Sequence, residues 1–106
     1  MTLAGFDVAQ EQIEDICRRY QVVEMAIFGS AARGDARPGS DVDILVEFAP
    51  GVVHGWGYFE LEQELARVFG RRVDLATKKW LKPKVRDEIL RDARVVYAAS
   101  ELRITE

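Results

Sequence analysis

The sequence predicts a small mixed α/β (α+β) fold, a mixed β-sheet with helices packed mainly on one face, in the order α-β-β-α-β-α-β. Three observations lead there. An almost uninterrupted apolar run from Val22 to Phe28 reads as a buried strand. From Asp41 to Phe48 the chain alternates strictly, with Val42, Ile44, Val46 and Phe48 on one side and Asp41, Asp43, Leu45 and Glu47 on the other. Around these strands lie stretches whose apolar residues recur at helical spacing.

In chain order, Val8 to Tyr20 sets Ile13, Ile16, Cys17 and Tyr20 on one helical face with charged residues between them, and Asp7 is the candidate N-cap. The strand Val22 to Phe28 then runs into Gly29-Ser30 and the small helix formers Ala31 and Ala32. One short helical turn is expected there, followed by an irregular loop punctuated by Gly34, Pro38 and Gly39 that holds Arg33 and Arg37. After the alternating strand, Ala49-Pro50-Gly51 forms a turn into a flexible stretch containing His54, the only histidine. Tyr58 to Phe69 predicts a second helix capped by Gly70, its apolar stripe widened by Trp56 and Phe59. A short strand over Arg71 to Ala76 places Val73 and Leu75 on one face and Asp74 on the other. Pro83 opens a further helix with Val85, Ile89 and Leu90 on its apolar side, and Val95 to Tyr97 makes the last strand before a polar tail.

Length and charge bound the function. With 106 residues, the expectation is a single domain over residues 1–106, near the lower end for an enzyme. Fifteen basic residues against 18 acidic ones, net charge −3, leave no broad surface for DNA. Cys17 has no second cysteine to pair with and falls on an apolar helix face, so it reads as core. Neither a leader nor an apolar run of spanning length is visible, which gives the expectation of a cytoplasmic protein that does not enter a membrane. No second histidine or cysteine accompanies His54 to suggest a zinc site.

Chemistry concentrates between Phe28 and Asp43. Aspartate is a poor strand former, and two carboxylates about 7 Å apart on one strand face repel each other, so folding alone gives no reason for Asp41 and Asp43. A bound cation gives one. Gly29-Ser30, where a strand turns into a helix, lets backbone N–H groups and a hydroxyl approach a phosphate. Singly, a Gly-Ser pair is an ordinary turn and Asp-x-Asp an ordinary solvated face. Together they join a phosphate cradle to a carboxylate pair. Asp74 is a third candidate if its strand lies beside that of Asp41. Glu47 shares the acidic face but lies about 13 Å from Asp43 along the strand, too far to share an ion.

Gly29-Ser30, ten residues, then Asp41-x-Asp43 resembles the signature of the nucleotidyltransferase superfamily. More closely, the chain resembles the minimal nucleotidyltransferase (MNT) family, the small partners in HEPN/MNT toxin–antitoxin pairs. Val73 to Tyr97, from Val-Asp-Leu-Ala-Thr through Leu-Lys-Pro to Val-Tyr, resembles that family's second half. The resemblance implies the nucleotidyltransferase (polymerase β-like) fold and transfer of AMP from ATP to a hydroxyl, with two Mg²⁺ ions. It implies Asp41 and Asp43 as ligands of the nucleotide-bound metal, and Asp74 with them at the metal that activates the acceptor, also as a candidate acceptor of its proton. It implies that Gly29 and Ser30 hold the β- and γ-phosphates, with Arg33 as a further phosphate contact. The chain departs from larger nucleotidyltransferases in having no room for an acceptor domain. The acceptor implied is therefore a separate protein, a HEPN-type toxin modified on a tyrosine hydroxyl, in a hetero-complex of open stoichiometry. Two alternatives stay open: an antitoxin that only masks its partner, and transfer to a small molecule. No residue reads the nucleotide base.

Overall fold

A computed structural model of the chain describes residues 2–3, 6–34, 37, 39–52 and 55–99. A short pair of strands, β1 (Thr2–Leu3) and β2 (Phe6–Asp7), precedes α1 (Gln10–Arg19). There follow β3 (Val22–Phe28), α2 (Gly29–Arg33), β4 (Val42–Phe48), α3 (Trp56–Phe69), β5 (Val73–Thr77), a 3-10 turn over Lys78–Trp80, α4 (Pro83–Asp92) and β6 (Arg94–Ala98). The main sheet has the order β5-β4-β3-β6. β3 runs antiparallel to both β4 and β6, while β4 and β5 run parallel. A parallel pair needs a crossover, and α3 supplies it.

One face of this sheet carries the core. Met25 and Ile27 of β3 and Val42, Ile44 and Val46 of β4 meet Ile13, Ile16 and Cys17 of α1 and Leu61, Leu65 and Phe69 of α3. Full burial of each large aliphatic side chain contributes about 2 kcal/mol. Cys17 lies within this cluster, and burial pushes its thiol up to about 12, so it packs as an apolar residue. The second face is thinly covered. Ala26 and Leu45 are buried there beside Leu90, Ala93 and Val95, and α4 itself has no buried residue. Leu45 was grouped by alternation with the acidic residues; it is buried because α4 crosses that face beyond the acids.

Several expectations are corrected by tertiary context. α1 starts at Gln10 with Ala9 in the N-cap position and no side-chain cap, because Asp7 is drawn into β2. Arg33 ends α2 rather than lying in the loop, since Gly34 at φ 84° supplies the left-handed cap one residue later. Trp56 and Phe59, expected to widen the stripe of α3, are exposed; only Tyr58 of that first turn faces the sheet. β5 runs from Val73 to Thr77, two residues later than the sequence placed its start. His54 and the tail from residue 100 lie outside the described residues. Among the described residues no helix is long and apolar enough to cross a membrane.

Candidate functional site

The site forms where β3 ends and β4 and β5 begin. Phe28 is extended, and Gly29 then takes φ +72°, turning the chain sharply into α2. That conformation favours glycine, and space demands it too: a Cβ at Gly29 would fall on Oδ2 of Asp43. The Asp43 carboxylate therefore packs directly against the backbone of the Gly-Ser turn. Ser30, half-buried, follows in the first turn of α2, and Arg33 ends it.

On β4, Asp41 stands exposed just before the strand, where the Val42 N–H donates to the Arg72 carbonyl at 2.9 Å. Asp43 is half-buried and central. In the antiparallel ladder it faces Phe28 of β3, and in the parallel ladder it faces Asp74 of β5. The two acids thus occupy the same rung of adjacent strands, although 31 residues separate them in sequence. The sequence placed Asp74 here only on the condition that its strand paired beside that of Asp41. That condition is met.

The electrostatics follow from this convergence. Burial pushes the Asp43 carboxyl above its ordinary range, and the charges of Asp74 and Asp41 push it further, with Asp74 in hydrogen-bonding range. Arg33 opposes the rise. Its guanidinium is braced by Asp92 at the end of α4, at 3.4 Å, and about half of each side chain is exposed. Asp92 was not singled out in the sequence. It lies 59 residues from Arg33 and no local pattern marks it.

A half-buried carboxylate with Asp74 on its own rung and Asp41 two residues away is a poor arrangement for the protein alone and a good one for a hard cation, which takes oxygen ligands. Among the described residues, no three acidic, histidine or cysteine side chains are already gathered as a complete ligand set. Mg²⁺ is typically held by one or two carboxylates together with substrate phosphates rather than by a closed protein cage. The open Asp43–Asp74 pair with Asp41 beside it fits that mode. Glu47 is at the far end of β4, exposed and 3.8 Å from Lys78 Nζ, outside the site as its strand position required. Arg37 is exposed, and its backbone N–H donates to Ser40 Oγ at 3.1 Å.

With this geometry in view, the comparisons with known proteins are specific. Residues 9–96 match the family described as the nucleotidyltransferase domain. The protein adenylyltransferase MntA of Thermococcus cleftensis is 41% identical over 86 residues, covering 79% of this chain and 82% of the relative. A solved structure assigned as a minimal nucleotidyltransferase superposes with a TM-score of 0.69 at 36% identity, covering 80% of this chain and 86% of that one. A toxin–antitoxin structure with AMP-PNP gives a TM-score of 0.71 at 21% identity, covering 89% of this chain and 77% of that one, and supports the fold.

Proposed function

Because the chain belongs to the nucleotidyltransferase domain family, and within it to the minimal nucleotidyltransferases, we propose that it transfers AMP from ATP to a tyrosine hydroxyl of a HEPN-type toxin and so acts as its antitoxin. The observation that carries this reading is the shared rung of Asp43 and Asp74, with the Asp43 carboxylate lying on Gly29. It sets a phosphate-binding turn and a carboxylate pair side by side. Structures similar to this chain include an AMPylated Shewanella oneidensis HEPN toxin in complex with an MNT antitoxin, at 19% identity, which suggests the class of partner.

In the proposed reaction the acceptor oxygen forms a bond to the α-phosphorus of ATP. The bond from that phosphorus to the α,β-bridging oxygen breaks, and pyrophosphate leaves with the electron pair. Gly29 and Ser30 hold the β- and γ-phosphates through backbone N–H groups and the Ser30 hydroxyl. Arg33, braced by Asp92, adds a positive charge on the same side. Asp41 and Asp43 would hold the metal that comes with the nucleotide, and Asp74 would join them at the acceptor side and take the hydroxyl proton. What bound Mg²⁺ supplies there is neutralisation of the charge that grows on pyrophosphate and a more acidic acceptor hydroxyl.

The test is the intact mass of a purified HEPN-domain partner after incubation with this chain, ATP and Mg²⁺. A gain of about 329 Da per site, one AMP residue, with wild type and none with Asp43→Asn supports the reading. Unmodified partner that is inhibited equally by both forms refutes it and leaves a masking antitoxin.

A further inference from the structure

All four lysines of the chain fall within seven residues, Lys78, Lys79, Lys82 and Lys84, and Arg86 follows. Residues 78–86 carry five cations and no acid in a chain whose net charge is −3. This segment is the 3-10 turn and the start of α4, and it borders a groove of about 620 Å³ at the ends of β4 and β5 opposite the carboxylates. From Asp43 to Phe48 along β4 the separation is about 17 Å.

The groove has an apolar floor and a cationic rim of Lys78, Lys79 and Arg86, with the exposed Lys82 and Lys84 between the last two in sequence. Phe48, Tyr58 and Trp80 form a ladder of rings with centroids 6.3 and 5.6 Å apart, and Pro50 and Val52 continue the surface. Trp80 remains 68% exposed. Tyr58 is held by its hydroxyl, which donates to the Leu75 carbonyl at 2.8 Å. Glu47, the one acid on the lining, lies near Lys78, which also reaches Glu24 at 3.4 Å. Lys79 and Lys82 are exposed and make no ion pair among the described residues. Arg86 gives one N–H to the Leu81 carbonyl at 3.2 Å, while its Nε–H is buried with no hydrogen-bond partner among the described residues.

We propose that this groove is an exosite that docks an acidic segment of the protein acceptor, one bearing an apolar or aromatic side chain that stacks on Tyr58 and Trp80. Charge complementarity selects the occupant: the cations gathered here are the chain's one dense positive field, and Trp, Tyr and Arg are the residues that dominate protein interfaces. A nucleic-acid strand would need a continuous cationic track, whereas the cations here rim a concave apolar floor. Docking at this end secures the acceptor independently of the reacting hydroxyl. The inference takes from the function proposed above only that the partner is a protein acceptor.

The test measures binding of the purified HEPN-domain partner to the intact chain by isothermal titration, and acceptor KM and kcat with ATP and Mg²⁺. Two variants are compared with wild type, Lys79→Glu/Lys82→Glu and Trp80→Ala. Weakening of Kd and acceptor KM by about tenfold in both, with kcat at saturating acceptor within twofold of wild type, supports the exosite. Values within twofold of wild type in both variants overturn it, as does absence of binding by wild type. Displacement of the partner from wild type by a 12-residue oligoadenylate that does not bind Lys79→Glu/Lys82→Glu reassigns the groove to nucleic acid and also overturns it. Groove-dependent binding without any mass added to the partner upholds the exosite and refutes the transferase reading.

Discussion

Replacing Asp43 with asparagine keeps the shape of the site and removes its central charge. Facing residues on adjacent strands lie about 5 Å apart, so two full charges on the Asp43–Asp74 rung repel by about 3 kcal/mol at an effective dielectric constant of 20 and by about 1 kcal/mol in water. Asp74 is exposed and Asp43 only half-buried, which places the cost near the lower figure. Burial of the Asp43 charge adds to it with the same sign. Metal-free Asp43→Asn is therefore expected to be more stable than wild type by about 1 kcal/mol at pH 7.5, a rise in Tm of about 4–6 °C for a domain of this size. The pH dependence has a definite sign. The folded chain holds the Asp43 proton more tightly than the unfolded chain does, so wild type is penalised above the raised pKa. The penalty is relieved as pH falls through that value toward the ordinary carboxylate range, and the gap between the two proteins closes there. Scanning calorimetry in EDTA from pH 7.5 to 4.5 measures it. Added Mg²⁺ should raise the Tm of wild type and leave Asp43→Asn almost unmoved. Equal or lower stability of Asp43→Asn in EDTA, or a gap that widens on acidification, would refute the reasoning.

Two further substitutions probe separate parts of the structure. Gly29→Ala combines a left-handed backbone with a Cβ driven into the Asp43 carboxylate, so a loss of about 1–3 kcal/mol in urea unfolding is expected, together with loss of AMP transfer. Glu64 is held down to about 2, first by the Arg19 guanidinium, which grips it through two N–H groups at 2.9 and 2.7 Å, and then by the Tyr20 hydroxyl at 2.6 Å. Its contribution is complete above the ordinary glutamate pKa of 4.5 and fades as pH falls from there toward 2. Arg19 is about half exposed and Glu64 partly so, which screens the pair, so Glu64→Gln should cost about 1 kcal/mol at pH 7 and progressively less below pH 4.5, read from thermal melts.

Strands were the most legible part of the fold. Val22 to Phe28 matches β3 residue for residue, because a strand at the centre of a sheet is apolar on both faces and bounded by turn residues. Alternation located β4 and set Asp43 and Leu45 on one face, yet it gave no sign that Leu45 is buried there, because its cover comes from α4 nearly half the chain away. Helix ends were less legible. Asp7 has the right chemistry for a cap, but pairing in β2 competes for it, and nothing local reveals a strand of two residues. Exposure of Trp56 and Phe59 was hidden because a helical stripe read one turn too wide looks like core. For the candidate site, spacing alone connected Gly29, Ser30, Asp41 and Asp43, which are near in sequence. Asp74 required knowledge of which strands are neighbours, and Asp92 required the placement of α4 against α2.

The position of β5 at the sheet margin has a consequence for how the site comes apart. β4 is held by hydrogen-bonded ladders on both sides, whereas β5 is held by one. Lifting β5 breaks a single parallel ladder and carries Asp74 away, while the β3–β4 pair keeps Gly29, Ser30 and Asp43 together. Hydrogen exchange should accordingly divide the centre into two halves, with amides of Val73 to Thr77 opening in smaller, more frequent excursions than those of Val42 to Phe48. On the roles proposed above, the half that would hold the nucleotide, made by a tight antiparallel pair, would then persist through openings that erase the half that would meet the acceptor.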